Sequence, residues 1–258
     1  MKKFLLGTAL AVVMPITAVA APVAVDLSGW QADGWKNSTD NNWDVQGADN
    51  DSVFQSRNGA PTAFFKDGEN AQGTALAGTI KVETTGDDDF IGFVLGYQDG
   101  ELNSTSADFW LIDWKQGDQS PAVDGLSLSH VSGNVVVGGD PFWNHSGPVS
   151  EVQRAATLGS TGWADNTTYS FELTFTKDLI EVYVDSVLQI SYSSLMHGSQ
   201  FTDGSFGFYN YSQGSVRYAG ITEEVLPPTP GAVPLPASAP LLLAGFGAFA
   251  AIRRRRKS

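Results

Sequence analysis

The feature that most constrains the fold is a two-residue alternation of apolar and polar side chains in the body of the chain. Apolar residues occupy every second position over residues 169–175 and again over 180–184. A strand with one buried and one solvated face needs this period. Lys177 and Asp178 separate the two runs and are suited to a turn, so the sequence predicts a β-hairpin there, extended by a third strand at 188–192.

Other short apolar runs predict further strands. Residues 90–97 are almost continuously apolar, which is typical of a strand covered on both faces. Gly- and Asp-rich turns separate the runs, and no stretch of the body shows a sustained 3.6-residue apolar period. The sequence therefore predicts an all-β sandwich or jelly roll. The remaining candidate strands are residues 79–83, 109–114, 126–130, 135–137, 205–211 and 216–221.

Charge is distributed unevenly along the 258 residues. The chain has 15 Lys and Arg, 28 Asp and Glu, and no Cys, and seven of the basic residues lie in 1–20 and 225–258, where no acidic residue occurs. The body is therefore strongly acidic and would repel phosphate backbones, which excludes a nucleic-acid-binding body. The absence of Cys excludes disulfides, a thiolate nucleophile and a Cys-ligated zinc site.

The N-terminal segment has the pattern of a secretory signal peptide. Lys2 and Lys3 precede an apolar run over residues 4–14, and small residues at Ala18 and Ala20 suit cleavage after position 20. We therefore expect residues 1–20 to be a signal peptide. An uncleaved N-terminal anchor is the alternative.

The C-terminal segment combines a Pro-rich stretch, an apolar run and a basic cluster. Residues 225–252 carry no charge, and 253–257 are all Arg or Lys. We predict a Pro-rich linker with a sorting motif over 225–236, one transmembrane helix over 237–252, and a basic cytoplasmic tail over 253–258.

These features in this order resemble the PEP-CTERM-type sorting signal in its VPLPA variant. The motif residues are Val233, Pro234, Leu235, Pro236 and Ala237. The resemblance implies an exosortase-type processing enzyme as a partner. It also implies anchoring in the inner membrane before processing, and a place at the cell surface or in the extracellular matrix afterwards. An uncut membrane anchor is the alternative.

The body carries a second resemblance, from about residue 43 to residue 221. The sequences GDDDFIGFVLGYQ at 86–98 and FWLIDWKQ at 109–116 resemble the thrombospondin C-terminal module. Trp143 and His145, Gly-Trp-Ala-Asp at 162–165 and Gly-Ser-Phe-Gly-Phe at 204–208 follow in the family's order. The resemblance implies an L-type-lectin-like (concanavalin-type) jelly-roll sandwich. The chain departs from the family in lacking its cysteine and the preceding calcium repeats. Asn144 also separates Trp143 from His145, which are adjacent in the family. The animal family's receptor partners are therefore not carried over.

Three consecutive carboxylates, Asp87, Asp88 and Asp89, precede the predicted strand at 90–97. Their mutual repulsion would be relieved by a hard cation, and calcium takes six to eight oxygen ligands. These residues are therefore a candidate calcium site, with Asp99 and Asp113 as possible further ligands. The alternative is a solvated acidic turn that blocks strand pairing at a sheet edge.

No catalytic constellation is apparent in the sequence. Hydrolases of the lectin-like fold carry a Glu-x-Asp-x-x-Glu or Glu-x-Asp-x-Glu strand, which is absent, and the three histidines lack a His-x-x-x-His metal spacing. Five tryptophans lie in or near turn-rich segments, where they either stack on sugars or pack in the core. They are Trp30, Trp35, Trp43, Trp143 and Trp163.

Together these patterns predict a single β-sandwich over residues 21–224 in an exported, surface- or matrix-sorted protein. We expect a non-catalytic binding or adhesion function, with calcium as a candidate cofactor and a surface polysaccharide or matrix protein as partner. Two alternatives remain open: a secreted polysaccharide-active enzyme on the same fold, and a purely structural matrix protein.

Overall fold

The computed structural model describes residues 21–39 and 41–227. The predicted signal peptide, the sorting motif, the transmembrane helix and the basic tail lie outside these residues. Within them, no helix has both the length and the apolar character needed to cross a membrane.

The described chain is built almost entirely from antiparallel strands. Four short helical turns interrupt them: 3₁₀ turns at Trp35–Asn37 and Glu101–Asn103, α1 at Pro141–Asn144 and α2 at Ser194–His197. The strands are β1 (Val23–Ala24), β2 (Gln31–Gly34), β3 (Trp43–Gln46), β4 (Ser52–Gln55), β5 (Thr62–Phe65), β6 (Thr74–Val82), β7 (Phe90–Tyr97), β8 (Ala107–Lys115), β9 (Gly125–Gly133), β10 (Val149–Arg154), β11 (Thr168–Phe175), β12 (Leu179–Val184), β13 (Val187–Ser193), β14 (Ser205–Tyr211) and β15 (Val216–Val225).

The strands form two sheets. The eight-stranded sheet has the order β13-β12-β11-β6-β15-β4-β3, with β1 paired to β15. The seven-stranded sheet has the order β10-β9-β8-β7-β14-β5-β2. This arrangement confirms the all-β sandwich predicted from the alternating pattern.

Most of the predicted strands are present. β7 and β14 have the predicted bounds, and β11, β12 and β13 form the predicted hairpin and its extension. The predicted strand at 135–137 is wrong, because these residues form a turn in which Val136 N donates to Asn134 Oδ1 at 3.0 Å and Val135 is fully buried. A β-branched apolar run therefore fills a core position here without joining a sheet.

The main core lies between the two sheets and is rich in aromatic rings. Phe93 of β7 packs on Phe171 of β11 with ring centroids 4.5 Å apart, and Phe208 of β14 stacks on Tyr218 of β15 at the same distance. The Tyr218 hydroxyl lies 2.7 Å from the carbonyl oxygen of Tyr209, so its polar end is satisfied inside the core. Each aromatic side chain of this size buries roughly 150–250 Å², which stabilises the sandwich without disulfides.

A second hydrophobic cluster covers the outer face of the seven-stranded sheet. Phe109, Leu111, Val94 and Tyr209 point to this face and are fully or almost fully buried. Loops supply its other members, including Ala122, Val135 and Phe142. β7 is therefore buried along its whole length, as its continuous apolar sequence predicts.

Candidate binding site

A well-formed depression lies over the outer face of the seven-stranded sheet, and we call it the outer cleft. Its cavity volume is about 320 Å³, and residues 121–123 form part of its wall. Its aromatic and polar lining comes from β7, α1 and β10: Phe90, Trp143, Asn144, His145, Glu151 and Arg154. A concave site with aromatic walls and a few convergent polar groups is the default binding-site hypothesis for a protein of this kind.

Helix α1 places the aromatic and imidazole groups of the outer cleft. Asp140 caps the helix by accepting a hydrogen bond from Trp143 N at 3.0 Å, and Pro141 stands in the first turn. Phe142 is fully buried in the second cluster and anchors the helix to the sheet. His145 ends the helix in a left-handed conformation, with φ of 43°. A non-glycine residue in this conformation is strained, so its contacts must hold it there.

Those contacts are two carboxylates on either side of the His145 ring. Nε2 lies 2.8 Å from Oδ2 of Asp113, which is 1% exposed, and Nδ1 lies 3.6 Å from Oε2 of Glu151. Burial lowers the pKa of His145, but the charge and hydrogen bond of Asp113, together with Glu151, outweigh burial and raise the pKa to about 10. His145 is therefore an imidazolium at neutral pH, held between two carboxylates.

Glu151 in turn joins His145 to Arg154. Arg154 Nη2 lies 2.7 Å from Glu151 Oε2, and Arg154 Nη1 donates to the carbonyl oxygens of Asp124 and Gly159. The hydrogen bond from His145 is the main cause that lowers the pKa of Glu151 to about 2, with Arg154 adding to it. The result is a row of alternating charges in which each group has a fixed partner.

A second buried ion pair lies beneath Trp143. Lys115 is fully buried, and its Nζ lies 2.6 Å from Oδ1 of Asp89 and 2.7 Å from Oε1 of Gln119. The same ammonium stands 4.9 Å from the ring centroid of Trp143 and 5.2 Å from that of Phe90, which places a cation against both aromatic walls.

The three predicted calcium ligands are adjacent in space but not equivalent. Asp87, Asp88 and Asp89 each offer a carboxylate oxygen within 4.8 Å of the others. Asp89 is buried and bonded to Lys115, whereas Asp87 and Asp88 are half-buried, and Asn58 Nδ2 donates to Asp87. Burial and then the charge of Asp89 raise the pKa of Asp87. Lys115 Nζ also lies 3.8 Å from Asp88 Oδ1, so the ammonium of the chain faces two of the three carboxylates.

The further ligands suggested for that site are engaged elsewhere. Asp113 bonds to His145 and to Ser127, and Asp99 Oδ1 accepts from Gln31 Nε2 at 2.8 Å. Neither belongs to the Asp87–Asp89 group.

Of the five tryptophans, only Trp143 lines the outer cleft. Trp35 and Trp163 are buried, and Trp30 and Trp43 pack against the main core. Core packing thus accounts for four of them.

The histidines are less isolated than the sequence indicates. Besides His145, the rings of His130 and His197 lie 4.8 Å apart, although they are far apart in sequence. No spacing rule along the chain brings these two residues together.

Comparison with known proteins gives a consistent family assignment. The family described as the thrombospondin C-terminal region matches residues 38–225. Thrombospondin-3b of Danio rerio is 27% identical over 166 residues, which cover 58% of this chain and 17% of that protein. Cartilage oligomeric matrix protein of Rattus norvegicus is 26% identical over 166 residues, covering 58% of this chain and 21% of that protein. The chain thus spans about a fifth of the length of these relatives.

Among solved structures, the carbohydrate-binding module CBM66 of Bacillus subtilis shares the fold. Its TM-score is 0.52 at 13% identity, and the alignment covers 76% of this chain and 95% of that one. At this level of identity the likeness concerns the sandwich architecture alone.

Proposed function

Since the chain belongs to the thrombospondin C-terminal region family, we propose that it is an extracellular, non-catalytic binding module that holds a polysaccharide or a matrix protein in the outer cleft. The observation that carries this proposal is the combination of the partly exposed Trp143 wall with polar groups already fixed in place. Fixed partners lower the entropic cost of binding, and aromatic faces suit the apolar faces of sugars or of side chains.

The charge states in the outer cleft favour binding over hydrolysis. General acid-base catalysis works best when the pKa of the group lies near the working pH. The pKa values of His145, about 10, and of Glu151, about 2, both lie far from neutrality. Neither group is therefore poised to exchange a proton, which supports the non-catalytic proposal over a polysaccharide-active enzyme.

The test is a glycan and matrix-protein array probed with the full chain in mild detergent, beside a hydrolysis screen on each bound glycan. We expect Trp143→Ala to weaken binding by about tenfold or more, equivalent to about 1.4 kcal/mol. Leu195→Ala is the control, because Leu195 is 92% exposed on α2 and does not line the outer cleft. Release of reducing sugar would favour the enzyme, and a blank array would favour a structural matrix protein.

We propose that the carboxylates of Asp87 and Asp88 bind calcium, while Asp89 stays paired with Lys115. The half-exposed pair repel each other, and a hard cation with oxygen ligands would offset that repulsion. Calcium should then raise the melting temperature, and Asp87→Asn combined with Asp88→Asn should remove the rise. A parent protein whose melting temperature ignores calcium contradicts this proposal.

We also propose that residues 1–20 direct export and that residues 233–237 direct processing by an exosortase-type enzyme. The support is the sequence pattern of both ends. Cell fractionation of the intact chain against a deletion of 233–237 is the test. The intact protein should reach the surface or matrix, and the deletion should stay in the inner membrane; retention of both would refute the sorting role.

A further inference from the structure

A second group of titratable side chains lies outside the outer cleft, where β9 meets α2. His130 belongs to β9 and His197 to α2, and their ring centroids are 4.8 Å apart with the ring planes at 83°. His130 Nε2 lies 2.8 Å from Oδ1 of Asp108 on β8. The other Asp108 oxygen, Oδ2, accepts from Thr202 Oγ1 at 2.6 Å, so the carboxylate is fixed from both sides.

An aromatic wall holds the two imidazoles in place. Trp110 is 2% exposed; His130 stacks on it with a centroid distance of 4.6 Å, and His197 meets it edge-on at 5.0 Å. Phe201 packs on the same indole at 4.9 Å and on His197 at 5.7 Å. The His130 side chain remains 19% exposed, so solvent reaches the pair although its ring planes are constrained.

The spacing of the two rings suits a shared metal ion. With metal–nitrogen bonds of about 2.0–2.1 Å and tetrahedral angles, two imidazoles on one ion have centroids roughly 5 Å apart. The observed separation is 4.8 Å. Nε2–H of His130 can donate to Asp108, which leaves Nδ1 with its lone pair, and a carboxylate behind a histidine is the arrangement that orients metal-binding imidazoles.

The charge around the two rings also favours a cation. Asp108 places a carboxylate beside His130. The acidic body of the chain adds a general attraction for cations.

We propose that His130 and His197 form a two-histidine site for a divalent late first-row transition metal such as Zn²⁺, Ni²⁺ or Cu²⁺, with Asp108 positioning His130. Imidazole nitrogens prefer these ions, whereas the carboxylates of Asp87 and Asp88 prefer a hard cation. The chain supplies two ligands, and water completes the coordination. The site is separate from the outer cleft and from the proposed calcium ligands.

The test uses the full chain purified without a polyhistidine tag, titrated with Zn²⁺ in a calorimeter and with Cu²⁺ while tryptophan fluorescence is recorded. We expect one Zn²⁺ per chain, and quenching by Cu²⁺ because Trp110 touches both rings. His197→Gln should weaken Zn²⁺ binding at least tenfold, and Asp108→Asn should weaken it by about 10- to 100-fold. Leu195→Ala on the same helix and the Asp87→Asn, Asp88→Asn pair should leave Zn²⁺ binding unchanged.

Each outcome decides the assignment. The chain has three histidines, so NMR can show which imidazole signals move on adding Zn²⁺. Movement of the His130 and His197 signals alone supports the site. Three results would overturn it. They are movement of the His145 signal instead, loss of Zn²⁺ binding only in the Asp87→Asn, Asp88→Asn variant, and undiminished Zn²⁺ binding in a folded His197→Gln protein. His197 lies on a short, partly exposed helix, so its variant should keep the parent melting temperature even if His130→Gln unfolds.

Discussion

Replacing Lys115 with methionine tests how the outer face is held together. Methionine keeps much of the length of the side chain and removes its charge. The ammonium it replaces is fully buried and lies 2.6 Å from Asp89 Oδ1, 2.7 Å from Gln119 Oε1 and 3.1 Å from the Asp88 carbonyl oxygen. The Asp89 side chain is 5% exposed, so the variant leaves a carboxylate without its cation inside the protein.

The size of the effect follows from two limits. Breaking a buried ion pair by removing one partner costs about 3–5 kcal/mol. A stranded carboxylate can also escape by taking a proton, which at pH 7 costs an ordinary aspartic acid, with an unperturbed pKa of about 3.9, about 4 kcal/mol. We therefore expect Lys115→Met to lower the free energy of unfolding by about 4 kcal/mol at pH 7. At pH 5 the same protonation costs only about 1.5 kcal/mol, so the loss should shrink.

The measurement is urea unfolding of the full chain in detergent, followed by tryptophan fluorescence at both pH values. Adding Asp89→Asn to the Lys115→Met protein should recover much of the lost stability, because the stranded charge is then gone. Lys66→Met is the matched control: Lys66 pairs with Glu69 at 2.6 Å, but its side chain is 53% exposed, so the change should be within about 1 kcal/mol. A loss below about 1 kcal/mol at pH 7, or one that is the same at pH 5, would refute this account of the pair.

Two further perturbations test other close contacts in the protein. His145→Gln should be destabilising, because the pKa of His145 is about 10 in the folded state and 6.5 in the unfolded state. The stability that His145 contributes, at most about 5 kcal/mol, should be complete below pH 6.5 and disappear as the pH rises to 10. Unfolding curves of parent and variant that do not converge over that range would contradict this prediction. Gly162→Ala should lower the free energy of unfolding by about 1–3 kcal/mol or more, because its Cβ would stand 1.8 Å from the carbonyl oxygen of Gln116. Gly29→Ala is the control, because a Cβ there meets open space and should change the melting temperature little. Equal melting temperatures for both variants would show that the close approach at Gly162 is unimportant.

The strands that can be predicted from the sequence are those whose own residues show the apolar pattern of a buried strand. β7 has an unbroken apolar run and β14 a short aromatic-rich one, and both have the predicted bounds. β2 and β3 were not predicted, because QADG and WDVQ carry few apolar residues. Both are edge strands specified by pairing: β2 pairs with the distant β5, and β3 pairs with β4, the next strand along the chain.

The candidate site was less predictable for a different reason. Asp113 and Lys115 share the parity of Phe109 and Leu111 on β8, which points them to the outer face. A charged residue at a position of the alternation that faces the interior indicates a buried ion pair, and the sequence contains this indication. The sequence does not indicate the partner of Asp113: His145 comes from a four-residue helix whose position depends on packing across the sheet.

The outer face therefore carries its own cations, and this limits what calcium can contribute. Two buried carboxylates lie on this face. Lys115 Nζ neutralises Asp89 at 2.6 Å from Oδ1. The imidazolium of His145 neutralises Asp113, with Nε2 at 2.8 Å from Oδ2. Asp87 and Asp88 are both half-buried, and Lys115 Nζ stands 3.8 Å from Asp88 Oδ1, so the charge left for a bound ion to relieve lies mainly on Asp87. We expect a chelator to lower the melting temperature modestly while cooperative unfolding is retained, as measured by calorimetry with and without calcium. Loss of the cooperative transition in chelator would mean that the buried ion pairs do not hold the outer face by themselves.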